Sequence, residues 1–523
     1  MPSPPATIWE SIARHARAPG RAALAIDGHT LTYGALASGV TATAAALRGA
    51  GAGAALRGAG AGAAAHPRVG ILLEPSAAFF EGFLGAGAAG AAAMVLQHGW
   101  SARDLDHALA SGRPRLVLAA ANRAEQVARH RPVGPVVPVG TGDVAAGLRA
   151  LATGRVPAAP GPAHDDPGAA PFYIGFTSGS TGRPKGFVRS HRSWLRSFEA
   201  SAVFGIDGGD HVLAPGPLDH SLFLYAALHG LSVGATVHLH RRFVAGAVLD
   251  TLARQPITHV YLVPTMLAAL LRAADRGARS PADTVRTVIC SGARWPAATL
   301  ARVGDLFPRA EAIDFYGASE TSFISLRRPA PDDARTCVGR PFPGVEVAIR
   351  RADGSAAVTG ETGRLWVRSD LLFSGYLDAD EAGAAWDDDG WLTIGDLAHL
   401  DAAGRLHLAG RETAMLVCGG VNVYPEEIED VLMEVPEVAE AAVIGVPDEY
   451  WGDLLCAIVR WHDGRTVPRR HLREHCRVRL ARGKQPQRWL QVDDLPRTAS
   501  GKTARATLSE RLRAGTLAAS ELT

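Results

Sequence analysis

The chain has 523 residues, and its 54 basic and 52 acidic side chains give a formal net charge of +2. This length exceeds one ordinary hydrophobic core, so we expect two or three domains. Hydrophobic residues make up 47% and charged residues 20%, which is typical of globular proteins. A nucleic-acid-binding protein usually carries a basic excess or stripe, so we expect no nucleic-acid partner and interpret the arginine-rich 465–488 as a solvated surface.

The cysteines and the N-terminus do not indicate an oxidising compartment or a membrane. The five cysteines are widely spaced, and none forms a CxxC or Cys/His pattern typical of zinc. An odd set of this kind fits reduced cytosolic thiols better than a disulfide framework. The opening residues, MPSPPATIWESIARHA, lack the regions of a signal peptide. No uncharged apolar run reaches the roughly 18–20 residues of a membrane span, so we expect a cytoplasmic protein.

From residue 68 onwards, short β-rich runs alternate with runs rich in alanine and leucine. The predicted strands are RVGILL (68–73), RLVLAA (115–120), HVLAPG (211–216), THVYLV (258–263) and VRTVIC (285–290). The predicted helices between them include FFEGFLGAGAAGAAAMVL (79–96) and PTMLAALLRAAD (264–275). Strands that alternate with helices indicate parallel sheets covered on both faces, so the sequence predicts a large α/β domain.

Two stretches interrupt this pattern. ALRGAGAGA occurs twice in tandem within 46–64, after a helix predicted to end near Leu47. Alanine and glycine bury little surface and glycine opposes a stable helix, so we interpret the duplication as a surface loop extension. A functional tandem repeat would need several larger units. The Pro/Gly-rich segment 152–171 is typical of a linker or loop.

The last part of the chain has a different texture. YPEEIEDVLMEVPEVAEAAVIGVPD (424–448) predicts a helix, a turn and a strand, and LLCAIVRW (454–461) predicts another strand. The remainder returns to helix and then to a glycine-containing loop, RTASGKTAR (497–505). We therefore expect an N-terminal domain over 1–411 and a small C-terminal α+β domain over 412–523.

The loop TSGSTGRPKG (177–186) combines little side-chain bulk with positive charge. Small residues let backbone N–H groups curl around an anion, and hydroxyl groups add donors. Lys185 supplies a point charge suited to a phosphate tail. By composition alone, a solvent-exposed hairpin loop is the alternative to a polyphosphate cradle. The loop is not a Walker A motif, because Pro184 stands where that motif needs glycine, and SGKT (500–503) fails because Pro496 replaces its first glycine.

The same loop resembles the phosphate-binding signature of the adenylate-forming enzymes, which include acyl-CoA synthetases, carrier-protein adenylation domains and luciferases. Further motifs that resemble those of this superfamily follow in the right order. They are LTYGAL (31–36), DFYGASE (314–320), GWLTIGDLA (390–398), LAGRETAMLVCGGVNVYPEEIE (408–429) and LPRTASGKTAR (495–505). Ordered matches over this much of the chain are highly specific, and the pattern is closest to acyl-CoA synthetases.

The resemblance implies a large N-terminal domain of parallel-rich sheets with flanking helices and a small mobile C-terminal α+β domain. It also implies a ligase that uses ATP, Mg²⁺ and CoA. A carboxylate attacks the α-phosphate of ATP to give acyl-AMP and pyrophosphate, and a thiol then displaces AMP. Both steps develop charge on phosphate or carbonyl oxygens, which calls for preorganised donors and cations.

The resemblance assigns catalytic roles to four residues. Lys502 is expected to bridge the carboxylate and the α-phosphate, and Lys185 to hold the phosphate tail. Glu320 is expected to bind Mg²⁺, because a hard cation bridging phosphates prefers carboxylate oxygen. His220 falls where acyl-CoA synthetases carry a histidine beside the acyl carboxylate, with a satisfied structural histidine as the alternative.

The resemblance also assigns binding roles. Thr177 is expected to offer a hydroxyl to the metal, Tyr316 to stack on adenine, Asp396 to accept the ribose hydroxyls and Arg411 to donate to ribose or phosphate. The other residues expected at the ATP and CoA sites are Ser178, Gly179, Ser180, Thr181, Gly182, Gly292, Ala293, Asp314, Phe315, Gly317, Gly419 and Gly420.

The acyl group is not specified by the sequence. The resemblance places the acyl pocket at 217–225, 291–295 and 316–323. Many relatives carry Gly-Gly-Ala-Pro near the second segment, but this chain has SGARW there. The altered rim prevents a direct transfer of substrate identity.

One departure from the family pattern falls just after Arg411. The residue about which the C-terminal domain rotates is typically Asp or Lys, whereas this chain has Thr413 and Ala414. A hinge needs only to absorb backbone rotation, so tolerated drift is one interpretation. The alternative is an enzyme specialised for one half-reaction, the thiolation of a preformed acyl-AMP.

Three further alternatives stay open. CoA is the preferred acceptor, because CGGVNVYPEEIE resembles CoA ligases and no carrier domain follows in the sequence, but a stand-alone enzyme that loads a carrier protein is also consistent. A non-catalytic nucleotide-binding module is disfavoured, since it would have no need of Lys502. Many relatives form dimers, so a homodimer is a further expectation.

Overall fold

The structure is a computed structural model. It describes residues 4–49, 66–130, 134–140, 144–151, 166–178, 184–277, 282–292, 295, 297–330, 333–334, 336–378, 384–412, 416–418, 421–448, 452–497 and 503–523. Most of the duplicated 46–64 and of the predicted linker 152–171 lies outside these residues.

The described strands follow in chain order. They are β1 Ala22–Ile26, β2 His29–Thr32, β3 Arg68–Leu72, β4 Ala92–Val95, β5 Leu116–Ala120, β6 Val136–Val139, β7 Pro171–Ser178, β8 Pro184–Ser190, β9 His211–Ala214, β10 Thr236–Leu239, β11 His259–Leu262, β12 Thr287–Cys290, β13 Glu311–Tyr316, β14 Ser325–Arg327, β15 Cys337–Pro341, β16 Glu346–Arg350, β17 Gly363–Arg368, β18 Gly375–Tyr376, β19 Ala385–Trp386, β20 Leu392–Thr393, β21 Asp396–Leu400, β22 Leu406–Arg411, β23 Leu416–Cys418, β24 Val421–Val423, β25 Val438–Asp448, β26 Gly452–Trp461, β27 Arg488–Val492 and β28 Ala519–Glu521.

The described α-helices are given in the same way. They are α1 Ile8–Ala13, α2 Tyr33–Leu47, α3 Ala77–Ala88, α4 Ala102–Gly112, α5 Ala121–Arg129, α6 Val144–Leu151, α7 His191–Ala200, α8 Ser221–Val233, α9 Ala245–Arg254, α10 Pro264–Gly277, α11 Ala297–Ala301, α12 Val303–Leu306, α13 Pro425–Leu432, α14 Arg469–Arg479 and α15 Arg505–Arg513. Short 3₁₀ helices cover Arg14–Arg17, Pro167–Ala169, Ser201–Phe204 and Arg482–Lys484. None of these helices is long and apolar enough to cross a membrane.

The chain divides into two compact units. The first comprises Met1–Pro331, Pro341–Glu346 and Arg368–Ala382, and the second comprises Asp332–Arg340, Val347–Val367 and Gly383–Thr523. The second unit thus takes in residues that precede 411. The boundary at 411 was predicted as the limit of a C-terminal domain that rotates. This boundary stays a prediction.

The first unit contains two largely parallel sheets. One has the order β18-β8-β7-β4-β3-β5-β6, with parallel pairs from β7 through β6 and an antiparallel β7–β8 hairpin. The other runs β13-β12-β11-β9-β10-β1 in parallel and ends in antiparallel partners, β14 and β2. In the second sheet, β9 lies between β10 and β11. The strand order therefore reverses at β9, because the next two strands in the chain lie on opposite sides of it. Loops at such a reversal open a crevice beyond the carboxyl ends of the strands.

The pattern of hydrophobic residues predicts five strands of this unit correctly. The runs at 68–73, 115–120, 211–216, 258–263 and 285–290 contain β3, β5, β9, β11 and β12. Central strands of these sheets are buried on both faces, which is why they are continuously apolar rather than alternating.

The helix predicted over 79–96 is wrong in its second half. It ends at Ala88, Gly90 adopts a left-handed φ of 82°, and β4 follows. A glycine in this conformation commonly terminates a helix. The following Ala-Ala-Met-Val is fully buried between β3 and β7. A short apolar run cannot by itself be assigned to a helix or a central strand.

In the second unit, antiparallel strands surround the β21–β22 hairpin, in the order β19-β20-β17-β21-β22-β15. The C-terminal sheet has the order β24-β23-β26-β27-β28, with β25 paired to β26. The predicted helix, strand and strand at 424–461 correspond to α13, β25 and β26. Two strands were not predicted: β27 lies in a region predicted to be helical, and β28 follows the predicted loop 497–505.

Candidate active site

The phosphate-loop residues lie at the carboxyl end of β7 and the start of β8. Thr177 and Lys185 are directly opposite each other in the antiparallel register of β7 and β8. Lys185 is 8% exposed, and its Nζ lies 5.9 Å from the centre of the Tyr376 ring. At this distance the ammonium group is attracted by the face of the ring. The loop base therefore holds its cation in a fixed, partly desolvated place.

Glu320 lies beyond the carboxyl end of β13, which is a strand of the second sheet. Its carboxylate is largely buried, and Oε1 accepts a hydrogen bond of 2.9 Å from Tyr376 Oη. Tyr376 thus contacts both the predicted phosphate-binding cation and the predicted metal ligand. Its position on β18, paired with β8, brings the two sheets' functional residues together.

The donor set around Glu320 fits Mg²⁺. Among the residues that the structure describes, no group of three or more His, Cys, Asp or Glu side chains could hold a metal alone. Mg²⁺ is usually bound by one or two carboxylates together with substrate phosphates rather than by an all-protein cage. The buried carboxylate of Glu320 can supply that protein share, and the role expected for the Thr177 hydroxyl stays a prediction.

The residues at the end of β13 divide between site and core. Tyr316 is half-buried at the last position of the strand, whereas the Phe315 ring packs edge-on against Phe323 with centroids 4.7 Å apart. Asp314 forms an ion pair of 2.8 Å with Arg327 on β14. The side chains of Asp314 and Phe315 are therefore engaged within the protein, which leaves the backbone as the part able to follow a base edge.

Gly317 and Gly292 meet two different backbone requirements. A Cβ at Gly317 would lie 2.1 Å from the carbonyl oxygen of Ser322, so the tight return of this loop needs glycine. Gly292 has a φ of +93°, where side chains are strained, and it is exposed after β12. Gly317 thus allows a close backbone approach, whereas Gly292 allows a left-handed backbone conformation without a close contact.

His220 lies in the loop after β9, where the second sheet reverses. Its neighbour Asp219 lies between two histidines: His220 Nε2 is 3.9 Å from one carboxylate oxygen, and the His98 backbone N–H donates to the other at 3.2 Å. Burial alone would raise the pKa of Asp219, but the hydrogen bonds from His98 and the charge of His220 lower it overall. Asp219 is therefore an anion that joins the loop after β4 to the loop after β9.

In the second unit, Asp396 and Arg411 begin β21 and end β22 and are paired in register. Arg411 Nε donates to Asp396 Oδ1 at 2.8 Å. The carboxylate side chain is 6% exposed, whereas that of the arginine is 55% exposed. The β21–β22 hairpin thus carries a guanidinium restrained by a hydrogen bond and, next to it, a buried carboxylate that can accept hydrogen bonds.

Several predicted residues lie outside the described part of the chain. They are Gly179, Ser180, Thr181, Gly182, Ala293, Gly419, Gly420 and Lys502, together with the hinge residues Thr413 and Ala414. Ser178 is described by its backbone position on β7 alone.

Tyr376, His98 and Arg189 are not among the predicted site residues, and Asp219 is predicted only as part of the acyl-pocket segment 217–225. Tyr376 and His98 have no local signal, because their partners are distant in sequence. Arg189 does have one: it is a charged residue within β8, PKGFVRS, whose members from 184 to 189 are all buried. A charge at a buried strand position is seldom tolerated without a bonding partner.

Comparison with known proteins decides the family. The AMP-binding enzyme family model matches residues 12–377, and the AMP-binding enzyme C-terminal domain model matches residues 427–502. The chain belongs to the AMP-binding enzymes. The predicted adenylate-forming superfamily is thereby confirmed, and the chain is an AMP-forming acid–thiol ligase.

Individual AMP-binding enzymes cover nearly the whole chain. An uncharacterized acyl-CoA ligase, YhfT, of Bacillus subtilis is 38% identical over 85% of this chain and 88% of its own length. A feruloyl-CoA synthase of Amycolatopsis is 32% identical over 95% and 97%. The structure of o-succinylbenzoate CoA synthetase from B. subtilis, in complex with its acyl-adenylate intermediate, superposes with a TM-score of 0.79 at 27% identity over 96% and 98%. The predicted fold, a large N-terminal α/β domain with a smaller C-terminal domain, is confirmed.

Proposed function

We propose that this chain is an acyl-CoA ligase that activates a carboxylic acid with ATP and Mg²⁺ and transfers the acyl group to CoA. The observation that supports this most directly is the convergence on Tyr376, which contacts the buried Lys185 and the buried Glu320. A fixed cation beside a carboxylate able to bind Mg²⁺ is what a polyphosphate substrate needs. The named acyl-CoA ligases among its relatives support the same reaction class.

In the first half-reaction, a carboxylate oxygen attacks the α-phosphorus of ATP, the bond to the bridging oxygen breaks, and pyrophosphate leaves. Lys185 would bind the departing phosphates, Glu320 would hold Mg²⁺, and Lys502 would stabilise charge on the attacked phosphate. His220, next to the anionic Asp219, would lie beside the acid. In the second half-reaction, the thiolate attacks the acyl carbonyl carbon and AMP leaves.

The distribution of lysine supports two of these roles. Of the 54 Lys and Arg residues, three are lysines: Lys185, Lys484 and Lys502. A chain that uses arginine almost everywhere thus has lysine at both motif positions. Lysine is a compact point charge on a flexible stem, whereas arginine is a planar fork. Lys484 has a different use, an ion pair of 2.7 Å with Glu427.

The acyl substrate and the acceptor are settled by one assay. Pyrophosphate release and thioester formation are measured separately over a panel of carboxylic acids, with synthetic acyl-AMPs in parallel. We expect one class of acid to give both products. Thioester from acyl-AMP without pyrophosphate from any acid would instead support the half-reaction enzyme suggested by Thr413 and Ala414. ATP binding without either product would support a non-catalytic module, and acyl transfer only to a carrier protein would support the loading enzyme.

Two lysine variants complete the assay. Lys502→Ala is expected to lower pyrophosphate release about 10²–10³-fold, which is typical for the loss of one preorganised contact to developing charge. Thiolation of synthetic acyl-AMP should remain. Lys484→Ala is the matched control, since it removes a lysine from the same unit without touching a proposed role. Equal losses of pyrophosphate release in both variants would contradict the role proposed for Lys502.

A further inference from the structure

One buried arginine, Arg189, ties together three segments of the first unit. It is 1% exposed. Its Nη1 donates to the carbonyl oxygen of Ser319 at 2.9 Å, and its Nη2 donates to Ser322 Oγ at 2.6 Å and to the carbonyl oxygen of Leu371 at 2.5 Å. Its Nε donates to Ser193 Oγ at 3.3 Å. All of these acceptors are neutral, so the fork is used to fix backbone geometry.

Two of these acceptors flank Glu320 in the loop 317–322, and a third begins the segment 371–376. That segment returns to the glutamate at two points. The Phe373 backbone N–H donates to the Glu320 carbonyl oxygen at 2.8 Å, and Tyr376 Oη donates to its carboxylate at 2.9 Å. The guanidinium thus forms hydrogen bonds to both segments that determine the orientation of the Glu320 carboxylate.

The backbone at Ser322 shows why such support is needed. Ser322 has a φ of 58°, a left-handed conformation that is uncommon for residues other than glycine. Its hydroxyl oxygen accepts hydrogen bonds from Arg189 at 2.6 Å and from Ser197 Oγ at 3.1 Å. Strained conformations persist where the surroundings over-determine them, and they concentrate at functional sites. Removing one support should let the loop relax away from this turn.

We propose that Arg189 is a positioning residue for Glu320: by joining the loop 317–322 to the segment 371–376, it holds the carboxylate ready for the Mg²⁺–nucleotide complex. The inference rests on the proposed function, in which Glu320 is the Mg²⁺ ligand. An arginine that served stability alone would affect unfolding without affecting the Mg²⁺ dependence of nucleotide binding.

The test compares ATP affinity with and without Mg²⁺, measured by equilibrium binding in the absence of any acid, so that no turnover is required. Ser322→Ala removes one acceptor with little loss of volume, and Arg189→Lys keeps the charge without the fork. Both should reduce the gain in affinity that Mg²⁺ provides by about 10–100-fold, which is typical for residues that orient a metal ligand. ATP affinity in EDTA should stay within about twofold of the wild type.

The control is Arg286→Met, which removes the ion pair with Asp210 at the opposite, amino-terminal edge of the second sheet. It should leave the Mg²⁺ effect unchanged, even where it lowers the unfolding midpoint. An unchanged Mg²⁺ effect in both Ser322→Ala and Arg189→Lys would overturn the inference, as would equal weakening in EDTA. A wild type that binds Mg²⁺–ATP but releases pyrophosphate with no acid would contradict the proposed function. The effect of the variants on the Mg²⁺ dependence of ATP affinity could still be interpreted.

Discussion

Arg189 and Arg411 show two different uses of the same side chain. Arg189 is buried and donates to neutral oxygens on three segments, whereas Arg411 has 55% of its side chain exposed and pairs with the buried Asp396. The first guanidinium has no surface to offer a ligand, so it can act only through the backbone it holds. The second keeps accessible donors while one 2.8 Å hydrogen bond restrains it. Exposure and the type of partner therefore separate positioning from binding.

The largest expected effect comes from the carboxylate that restrains Arg411. Asp396→Ala removes the proposed acceptor of the ribose hydroxyls, and hydrogen bonds to charged groups contribute about 1.5–3 kcal/mol each. We expect the affinity for ATP to fall about 100-fold or more when two such bonds are lost. Equilibrium binding of ATP and of AMP measures the change.

Asp401→Ala is the matched control for that variant. Asp401 follows β21 in the same hairpin and also pairs with an arginine, Arg405, at 2.8 Å. Its loss should change nucleotide affinity by less than about twofold, because a partly exposed pair contributes at most about 1 kcal/mol and has no proposed ligand role. A comparable loss in both variants would mean that Asp396 acts through the hairpin and not through the ribose.

A smaller effect is expected on the free energy of unfolding, to which Arg189 and Arg411 should contribute differently. Arg189→Met removes the donor to the Ser319 carbonyl oxygen and one of two donors to the Leu371 carbonyl oxygen, which keeps Ser322 Oγ at 3.3 Å. A buried acceptor left unsatisfied costs about 1–3 kcal/mol. Removing a desolvated cation offsets part of this, since burial lowers the pKa of Arg189 to about 9. We therefore expect a net loss of about 1–3 kcal/mol. Arg411→Met should cost less than Arg189→Met, because it removes one 2.8 Å hydrogen bond to Asp396 instead of donors to three segments, and its own side chain is 55% exposed.

Urea denaturation monitored by tryptophan fluorescence measures both variants. Each is compared with the wild type at the same protein concentration, and the midpoint of the first transition is read because a chain with two compact units need not unfold in one step. Equal shifts for Arg189→Met and Arg411→Met would contradict the distinction drawn from exposure.

The sequence predicts those parts of the fold that depend on local pattern. The central strands β3, β5, β9, β11 and β12 are found because each is a short apolar run between turn signals. β4 is missed because Ala-Ala-Met-Val continues a helix-like alanine run, and only its place between β3 and β7 makes it a strand. In such cases tertiary burial overrides local propensity.

The candidate site divides in the same way. Motif positions identify Lys185, Glu320 and Asp396, because their neighbours in sequence form part of the pattern. Tyr376 is invisible to that reasoning: 56 residues separate it from Glu320, and it becomes relevant only when β18 pairs with β8. Sequence motifs thus identify the groups proposed to bind a ligand, whereas the residues that contact and orient those groups depend on sheet pairing.

The last expected effect concerns His191, close to Arg189 in sequence, and shows how burial acts on a weaker base. His191 is 4% exposed, and its Nδ1 accepts a hydrogen bond of 3.1 Å from the Ile8 backbone N–H. Burial, and then the charge of His66, lowers its pKa from 6.5 to about 3. Arg189 stays charged at neutral pH because its ordinary pKa is far higher, whereas His191 gives up its proton.

The sign of the pH dependence follows from this difference. Below about pH 6.5 the unfolded chain binds a proton at His191 that the folded chain does not bind until about pH 3, so acidification through that window lowers the free energy of unfolding. Each pH unit in the window costs about 1.4 kcal/mol for one such group. His191→Asn retains an acceptor for the Ile8 N–H without titrating, so its free energy of unfolding should fall less steeply between pH 6.5 and pH 4.5. Urea denaturation at several pH values gives the two slopes, and other buried histidines cancel in the difference. Parallel slopes would mean that His191 is protonated in the folded protein, and burial would then fail to distinguish it from Arg189.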